Sequence, residues 1–316
     1  MKAMIISGFG GADRLGIAEV PTPEVQADEA LIRVAYAGVN PVDWKIREGM
    51  LERLFPHRFP LILGWDAAGT VAAVGTAVTS FGGGDKVYAY CRKPIVQWGT
   101  YAEYVAMESS AVAPMPANLT FAQAAAIPLT ALTSWQALFD AGQLKAGQLV
   151  LIHAGAGGTG GMAIQFAKNA GATVFTTASA GNHEYVRSLG ADHVIDYQRE
   201  SFVEVVKNKS PDGVDLVYVT VGGDVLRDSH RVVKPGGALV SIVDAPDVEE
   251  AQRGGIRAAF VFVEPNGAQL REITRLIETG EIRAPAITEM NLEEVPKAHE
   301  LSQSGHVRGK IVLKIG

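Results

Sequence analysis

The chain has 316 residues and only one cysteine, Cys91. A single thiol excludes an internal disulfide framework, and it also excludes a zinc module built from several cysteines. The sequence lacks any apolar run near the roughly 18 to 20 residues that a membrane-spanning helix needs. It begins with a strand pattern at Lys2–Ile6 and not with a signal-peptide layout. We therefore predict a cytoplasmic protein without a membrane partner.

A strong charge of either sign is also missing. Charged residues make up 20% of the chain, the formal net charge is −6, and no long run of Lys or Arg occurs. Because nucleic acids and anionic surfaces are recognised through basic patches, we expect no nucleic-acid partner. In contrast, 47% of the residues are hydrophobic, which is enough for a sizeable core, and the length suggests about two domains.

Glycine is abundant, and three of the 35 glycines have a diagnostic spacing. Gly155, Gly157 and Gly160 follow the apolar run Leu149–Ile152 and precede the helical pattern Gly161–Lys168. In such a strand, glycine turn and helix, missing side chains let the backbone approach a pyrophosphate, and the N–H groups of the helix start face the anion. The spacing therefore predicts a dinucleotide site.

Further strand patterns follow this loop, separated by helical patterns or glycine turns. They are Thr173–Thr177, His193–Asp196, Leu216–Val219 and Ala238–Val243. Alternating strands and helices predict an α/β fold with a doubly wound parallel sheet. Within it, we expect the backbone amides of Gly157, Gly158 and Thr159 to bind the pyrophosphate.

The end of the second of these strands bears on the choice of cofactor. A site selective for NAD places an Asp or Glu about 20 residues beyond the glycines to bind the ribose 2′-OH, whereas residues 176–182 contain no carboxylate. Hydroxyl and amide groups there, including Ser179, suit a 2′-phosphate, together with His183 and Arg187 on the following helix. We predict NADPH as the cofactor. An ordinary solvated helix face remains the alternative for His183 and Arg187.

Short strand patterns, the last of them at Thr100–Val105, and glycine turns fill the first 115 residues or so, which predicts a mostly antiparallel, barrel-like β domain. A helix interrupted at Pro128 continues from Leu129 to Ala141. After the dinucleotide segment, two helical patterns alternate with two strand patterns, the last at Lys310–Lys314. We expect these late strands to return to the N-terminal barrel. The predicted domains are residues 1–120 with 265–316, and residues 121–264.

The order of these parts resembles the medium-chain dehydrogenase/reductase superfamily over nearly the whole chain. The segments that carry the resemblance are Ala37–Lys45, Leu63–Gly69, Gly84–Val87, Gly99–Tyr104, Leu129–Thr133, the glycine loop, Leu189–Asp192 and Arg308–Val312. The resemblance implies a GroES-like, mostly antiparallel β-barrel domain beside the Rossmann domain.

Zinc alcohol dehydrogenases of this superfamily bind the metal through an early Cys, a Gly-His-Glu motif and a later Cys. This chain has Val39-Asn40 and Trp65-Asp66 at the first two of these places, and its seven histidines show no paired spacing. Zinc needs three or four N, S or O ligands within tetrahedral reach. We therefore expect catalysis without a metal.

The segments Asn40–Asp43 and Arg308–Lys310 resemble the zinc-independent branch of quinone oxidoreductases and alkenal/enone reductases. This resemblance implies NADPH-dependent reduction of a quinone, or of a carbon–carbon double bond conjugated to a carbonyl. It also implies that Lys45 and Thr133 lie near the nicotinamide and that Tyr197 helps to hold the adenosine end.

Hydride transfer to such an acceptor leaves negative charge on the carbonyl oxygen, which side-chain donors can stabilise. We predict catalytic roles for Asn40, Asp43 and Lys45. Asn40 and Lys45 would be donors, with Tyr36 as a further candidate, and Lys45 or a water held by Asp43 would deliver the proton. The alternative for Asn40 and Asp43 is turn formation around Pro41, since Asn and Asp bond their own backbone.

Two other functions stay open. A redox sensor that binds NADPH without turnover would carry the same glycine loop, and an alcohol or aldehyde dehydrogenase would need a metal or a Tyr-Lys acid pair. The late apolar run Ala258–Val263 is predicted as the last strand of the sheet. Its pairing with the same strand of a second subunit would give a homodimer.

Overall fold

The computed structural model describes residues 1–316. The chain divides into two compact units, the first formed by Met1–Leu132 with Glu264–Gly316 and the second by Thr133–Val263. None of the helices has both the length and the apolar character that crossing a membrane requires.

The first unit is built from two sheets. In chain order its elements are β1 (Lys2–Ile6), β2 (Gly16–Glu19), β3 (Glu29–Val39), α1 (Pro41–Arg47), β4 (His57–Ile62), β5 (Asp66–Val74), β6 (Lys86–Tyr90), β7 (Val96–Trp98), β8 (Tyr104–Glu108), β9 (Val112–Pro114), α2 (Phe121–Ala125) and α3 (Pro128–Trp135), which reaches the start of the second unit.

The second unit continues the chain with alternating strands and helices. They are β10 (Leu149–Ile152), α4 (Gly158–Asn169), β11 (Thr173–Ala178), α5 (His183–Ser188), β12 (His193–Asp196), α6 (Phe202–Lys209), β13 (Val214–Val219), α7 (Asp224–Ser229), β14 (Val233–Ser241), α8 (Val248–Arg253) and β15 (Arg257–Phe260). The chain then returns to the first unit with α9 (Gly267–Glu278), β16 (Ile287–Asn291), α10 (Val295–Gln303) and β17 (Lys310–Lys314).

The larger sheet of the first unit has the order β16-β17-β3-β5-β6-β9, with β8 also paired to β3, and the smaller has the order β2-β1-β4-β7. Most neighbours are antiparallel. The register pairs Val39 with Ile311 and Gly38 with Asp66. This register brings Asn40, Asp66 and Lys310 to one place, although they are far apart along the chain.

The second unit holds a six-stranded parallel sheet of order β12-β11-β10-β13-β14-β15. The chain moves from β10 to β11 on one side and later places β13 on the other side, so the sequence order reverses beside β10. Ligands of doubly wound sheets bind at the carboxyl ends of strands at such a reversal. Helices cover the sheet, and its core includes Leu151, Phe175, Val217 and Leu239. The predicted fold class is confirmed.

Several predicted elements differ in extent from the structure. The strand predicted over Thr100–Val105 begins only at Tyr104, because residues 101–103 bond to the backbone of β1. The late strand ends at Phe260 and not at Val263. The helix predicted over 129–141 becomes a π-helix from Gln136, where Gly142 N donates to Ala137 O at 2.9 Å.

Candidate functional site

The loop between β10 and α4 is shaped by close contacts that exclude side chains. A Cβ atom at Gly155 would lie 2.1 Å from Thr176 Oγ1, and one at Gly160 would lie 2.3 Å from the carbonyl oxygen of Ala154. Gly157 is the N-cap of α4 and no side chain caps this helix. The first backbone N–H groups of α4 are therefore left for an external acceptor.

Hydroxyl groups from neighbouring elements fix this loop. Thr177 Oγ1 accepts from Ala154 N at 3.0 Å, Thr220 Oγ1 donates to His153 O at 2.7 Å, and Ser134 Oγ donates to Thr159 O at 2.8 Å. Ala154 adopts a left-handed backbone with φ of +50°, a conformation that needs such support. These supporting hydroxyl groups were not predicted from the sequence. A signal was present, since Thr177 is the penultimate residue of β11 and Thr220 directly follows β13, the two buried strands on either side of β10.

His153 lies beneath the loop and is fully buried. Its Nε2 is 3.1 Å from Ser229 Oγ and its Nδ1 is 3.4 Å from Thr177 Oγ1. Burial lowers the pKa of His153 to about 3, so the ring is neutral at physiological pH. It serves as a polar link between the loop, β11 and α7.

Two of the predicted cofactor-binding residues follow adjacent strands. Because Ala178 pairs with Asp196 in parallel register, Ser179 and Tyr197 lie at the carboxyl ends of β11 and β12. Ser179 Oγ accepts from Asn182 Nδ2 at 3.1 Å, and Tyr197 is 52% exposed. These two side chains lie on the same edge of the sheet as the glycine loop.

Three further residues were predicted at this site. His183 Nε2 lies 3.3 Å from Ala178 O, and Arg187 is exposed on α5. Thr133 is buried near the end of α3.

In the first unit, Asn40 and Asp43 close the start of α1. Asp43 Oδ2 accepts from Asn40 N at 2.7 Å and from Tyr101 Oη at 2.8 Å, while Asp43 Oδ1 is buried without a partner. Burial raises the pKa of Asp43 to about 7, and the hydrogen bonds from Asn40 and Tyr101 oppose this shift. Asp43 is therefore a fully buried carboxyl group that caps a helix.

The Asn40 side chain belongs to a buried charged network. Its Nδ2 donates to Asp66 Oδ2 at 2.8 Å, and its Oδ1 accepts from Lys310 Nζ. Lys310 Nζ also donates to Val39 O at 2.8 Å and lies 3.4 Å from Asp66 Oδ2. Burial raises the pKa of Asp66 and lowers that of Lys310, and the attraction between the two charges opposes both shifts.

Lys45 differs from the other two predicted catalytic residues because it stands outside this network. It lies on α1, is half-buried, and its Nζ is 5.7 Å from the centroid of the Trp44 ring. Its ammonium group has no carboxylate partner. Tyr36, the further candidate, donates from its hydroxyl to Glu289 Oε2 at 3.1 Å on the surface of the sheet.

The positions that correspond to zinc ligands hold side chains of another kind. Trp65 is buried, with its ring 5.9 Å from that of Tyr90, and Asn40 is bound by Asp66 and Lys310. No group of three or more His, Cys, Asp or Glu side chains is placed to share a metal ion.

Comparisons with known proteins agree with this architecture. Residues 26–117 match the family model of the alcohol dehydrogenase GroES-like domain, and residues 189–313 match that of the zinc-binding dehydrogenase. A 2-methylene-furan-3-one reductase of Solanum lycopersicum and a chloroplastic NADPH-dependent alkenal/one oxidoreductase of Arabidopsis thaliana are each 36% identical to the chain over 323 aligned positions. Each alignment covers 99% of this chain and 79% of the relative.

The chain belongs to the medium-chain dehydrogenase/reductase superfamily, in its zinc-independent quinone oxidoreductase and enone reductase branch. The solved structure of the quinone oxidoreductase from Coxiella burnetii superposes on it with a TM-score of 0.90 and 37% identity, over 100% of this chain and 99% of that chain. The predicted superfamily is confirmed. The protein is an oxidoreductase that binds a nicotinamide dinucleotide.

Proposed function

We propose that the protein reduces quinones, or the double bond of α,β-unsaturated carbonyl compounds, with NADPH as the reductant. The observation that carries the proposal is the glycine-lined, uncapped start of α4 at the reversal point of a parallel sheet. It is supported by the two relatives named for an enone reductase and for an alkenal/one oxidoreductase.

The residues of the second unit fit a dinucleotide. The loop between β10 and α4 can adopt its conformation only because Gly155 and Gly160 have no Cβ atoms, which would meet Thr176 Oγ1 and Ala154 O. The amides of Gly157, Gly158 and Thr159 would bind the pyrophosphate. Ser179 and Tyr197 would hold the adenosine end and Thr133 the nicotinamide end. When bound, the nicotinamide supplies the hydride.

The preference for NADPH over NADH rests on Ser179 and its neighbours. Ser179, Asn182 and His183 present hydroxyl, amide and imidazole groups, and no carboxylate occurs at residues 176–182. Such groups accommodate a 2′-phosphate, whereas an acid would repel it.

Replacing Ser179→Asp should therefore reverse the preference. We expect the ratio of the Michaelis constants for NADPH and NADH to rise by about tenfold or more, equivalent to roughly 1.4 kcal/mol. Ser188→Asp, an acid added on exposed α5 surface, is the matched control. An unchanged ratio in Ser179→Asp would contradict the assignment.

At the reacting end, we propose Lys45 as the group that faces the carbonyl oxygen of the acceptor. Its ammonium group can stabilise the negative charge that develops there and can deliver a proton. Asn40 and Asp43 would contribute by holding the start of α1, since the side chain of Asn40 is bound on both polar atoms. Asp43 would take part in the proton transfer itself if its Oδ1 held a water that delivers the proton.

Replacement of Lys45 tests this role. Lys45→Ala should lower the rate of enone reduction by at least about tenfold, equivalent to roughly 1.4 kcal/mol of transition-state stabilisation, with the unfolding temperature unchanged. Lys314→Ala, which removes an exposed lysine of β17, should keep the wild-type rate. A normal rate in Lys45→Ala would remove Lys45 from the mechanism.

The reaction itself is tested by NADPH oxidation with one quinone, one alkenal and one saturated aldehyde, each with a metal chelator present. We expect oxidation with the quinone or the alkenal and none with the aldehyde. Oxidation of NADPH by the aldehyde alone would indicate carbonyl reduction. Stoichiometric binding of NADPH with no oxidation by any acceptor would favour a redox sensor.

We further propose a homodimer formed through β15. This strand is the edge of the parallel sheet, and its Phe260 is 44% exposed. An edge strand carries unpaired N–H and C=O groups, which a second copy can satisfy across a two-fold axis. Light scattering that gives a monomer at micromolar concentration would refute the dimer.

The cytoplasmic location stays a prediction.

A further inference from the structure

Asp66 and Lys310 form a buried ion pair to which the proposed reaction assigns no part. The side chain of Asp66 is 0% exposed and that of Lys310 is 4% exposed. All hydrogen-bonding capacity of the Lys310 ammonium group is directed inward, to Val39 O, Asn40 Oδ1 and Asp66 Oδ2. The pair therefore contacts protein groups only.

Those protein groups lie at a junction. Val39 is the last residue of β3, and Asn40 is the N-cap residue of α1. Lys310 binds the backbone of Val39 and the side chain of Asn40. Asp66 binds the other end of the Asn40 amide, with Nδ2 to Oδ2 at 2.8 Å. The amide is thus fixed in one orientation, and the direction in which α1 leaves the sheet is fixed with it.

Asp66 also holds the start of a second helix. Its Oδ1 accepts from Leu129 N at 2.7 Å, in the first turn of α3, next to Pro128, which has no N–H of its own. A carboxylate at a helix N-terminus is favourable because it meets the positive end of the helix dipole. One buried carboxylate therefore joins the start of α1 to the start of α3.

Stability alone is a weak explanation for this arrangement. Removing two charges from water is costly, and apolar side chains of similar volume often give equal or greater stability than a buried ion pair. What a buried pair provides is a defined geometry for the groups that it binds. Here those groups are the starts of α1 and α3.

We propose that Asp66 and Lys310 are positioning residues for the reduction, which fix the start of α1 and so hold Lys45 in its working orientation. They do so without contact with the substrate. This inference rests on the proposed function, because Lys45 is the group that is positioned.

The test removes both charges together, so that neither is left buried and unpaired. Lys310→Met/Asp66→Asn keeps an amide that can still bind Leu129 N and Asn40. We expect kcat for an alkenal to fall by about tenfold, while KM and the dissociation constant of NADPH change by less than about threefold. In the Lys45→Ala background, the same double replacement should lower kcat by less than about twofold further, because the two changes remove one function.

A purely structural pair would behave differently. It would lower the unfolding temperature and leave kcat of the folded enzyme unchanged, or it would lower kcat by the same factor with and without Lys45. Either result overturns the proposal. If the double variant does not fold, Lys310→Arg keeps the charge but alters the contacts to Val39 and Asn40, and we expect kcat to fall severalfold. An unchanged kcat in that folded variant overturns the proposal as well.

The other end of β3 provides a matched control. There Lys93 Nζ lies 2.5 Å from Glu29 Oε1, with side chains 26% and 6% exposed. Lys93→Met/Glu29→Gln should change the unfolding temperature without changing kcat. If neither the wild type nor this control reduces any acceptor of the panel, the proposed function fails and the positioning role fails with it. If both are active, only the positioning role is being tested.

Discussion

The starts of α1 and α4 are built in opposite ways. Asn40 is the N-cap residue of α1, and the carboxylate of Asp43 accepts its N–H at 2.7 Å, so this helix start is closed by the protein itself. Gly157 is the N-cap residue of α4, and no side chain caps this helix. A closed start anchors a helix within its own unit, whereas an open start lined by glycine can receive an external anion. The comparison shows which of two similar termini is available to a ligand.

The largest effect is expected from breaking the open start. Gly160→Ala places a methyl group 2.3 Å from Ala154 O, which forces the loop away from its conformation. Overpacking of this kind costs about 3 kcal/mol, so we expect about a 100-fold loss of NADPH affinity in a fluorescence titration. Gly254→Ala meets no atom closer than 3.5 Å and should bind NADPH normally. Wild-type affinity in Gly160→Ala would contradict the proposal that NADPH binds at the loop between β10 and α4.

Because Asp43 closes the start of α1, the unfolding free energy should depend on pH. The pKa of Asp43 is raised to about 7 in the folded protein, whereas an Asp carboxyl in an unfolded chain titrates near pH 4. Between these values the folded state holds a proton that the unfolded state has lost. The contribution of Asp43 to stability is therefore fully present below about pH 4 and is lost as the pH rises through 7.

Asp43→Asn removes this titration. Between pH 5 and 7, the unfolding free energy of the variant should rise by about 2 kcal/mol relative to the wild type, as measured by urea unfolding. Asp28→Asn, at an exposed aspartate in the same unit, should run parallel to the wild type. Parallel curves for Asp43→Asn would mean that Asp43 is ionised throughout this range.

The smallest effect comes from converting the open start into a closed one. Gly157 has φ of −75° and ψ of 169°, and a Cβ there would lie 3.5 Å from Ala154 O, so both Ala and Asp fit. Gly157→Asp should cap α4 and keep or slightly raise the unfolding temperature. Its carboxylate should weaken NADPH binding by about tenfold relative to Gly157→Ala, and less so at high salt. Equal affinities would show that no anion binds at this helix start.

The sequence was sufficient for much of the second unit, for a physical reason. Central strands of a parallel sheet are buried on both faces and appear as short continuous apolar runs, so Leu149–Ile152 was predicted with correct bounds. The glycine spacing identified the loop between β10 and α4. The hydroxyl groups of Thr177 and Thr220 were missed, because Thr is common in strands and its bonds to the loop depend on the packing of neighbouring strands.

The network of the first unit could not be predicted in the same way. From the sequence, Asn40 and Asp43 were predicted to be catalytic, with turn formation around Pro41 as the alternative, and residue type alone does not separate a catalytic donor from a helix cap. The contact of Asn40 with Lys310 spans 270 positions of the chain, and it follows from the register of β17 against β3. Local pattern carries no information on such a register.

The return of β17 to β3 has a consequence for biosynthesis. The second unit is one continuous segment, and all strands of its sheet have been made once residue 260 has left the ribosome. The first unit cannot complete its fold until residues 310–314 have been synthesised, because before that Asp66 and Asn40 lack Lys310, their cationic partner. Domains generally fold as units during synthesis. The nascent chain should therefore become able to bind the dinucleotide before the first unit, which carries Lys45, has finished folding.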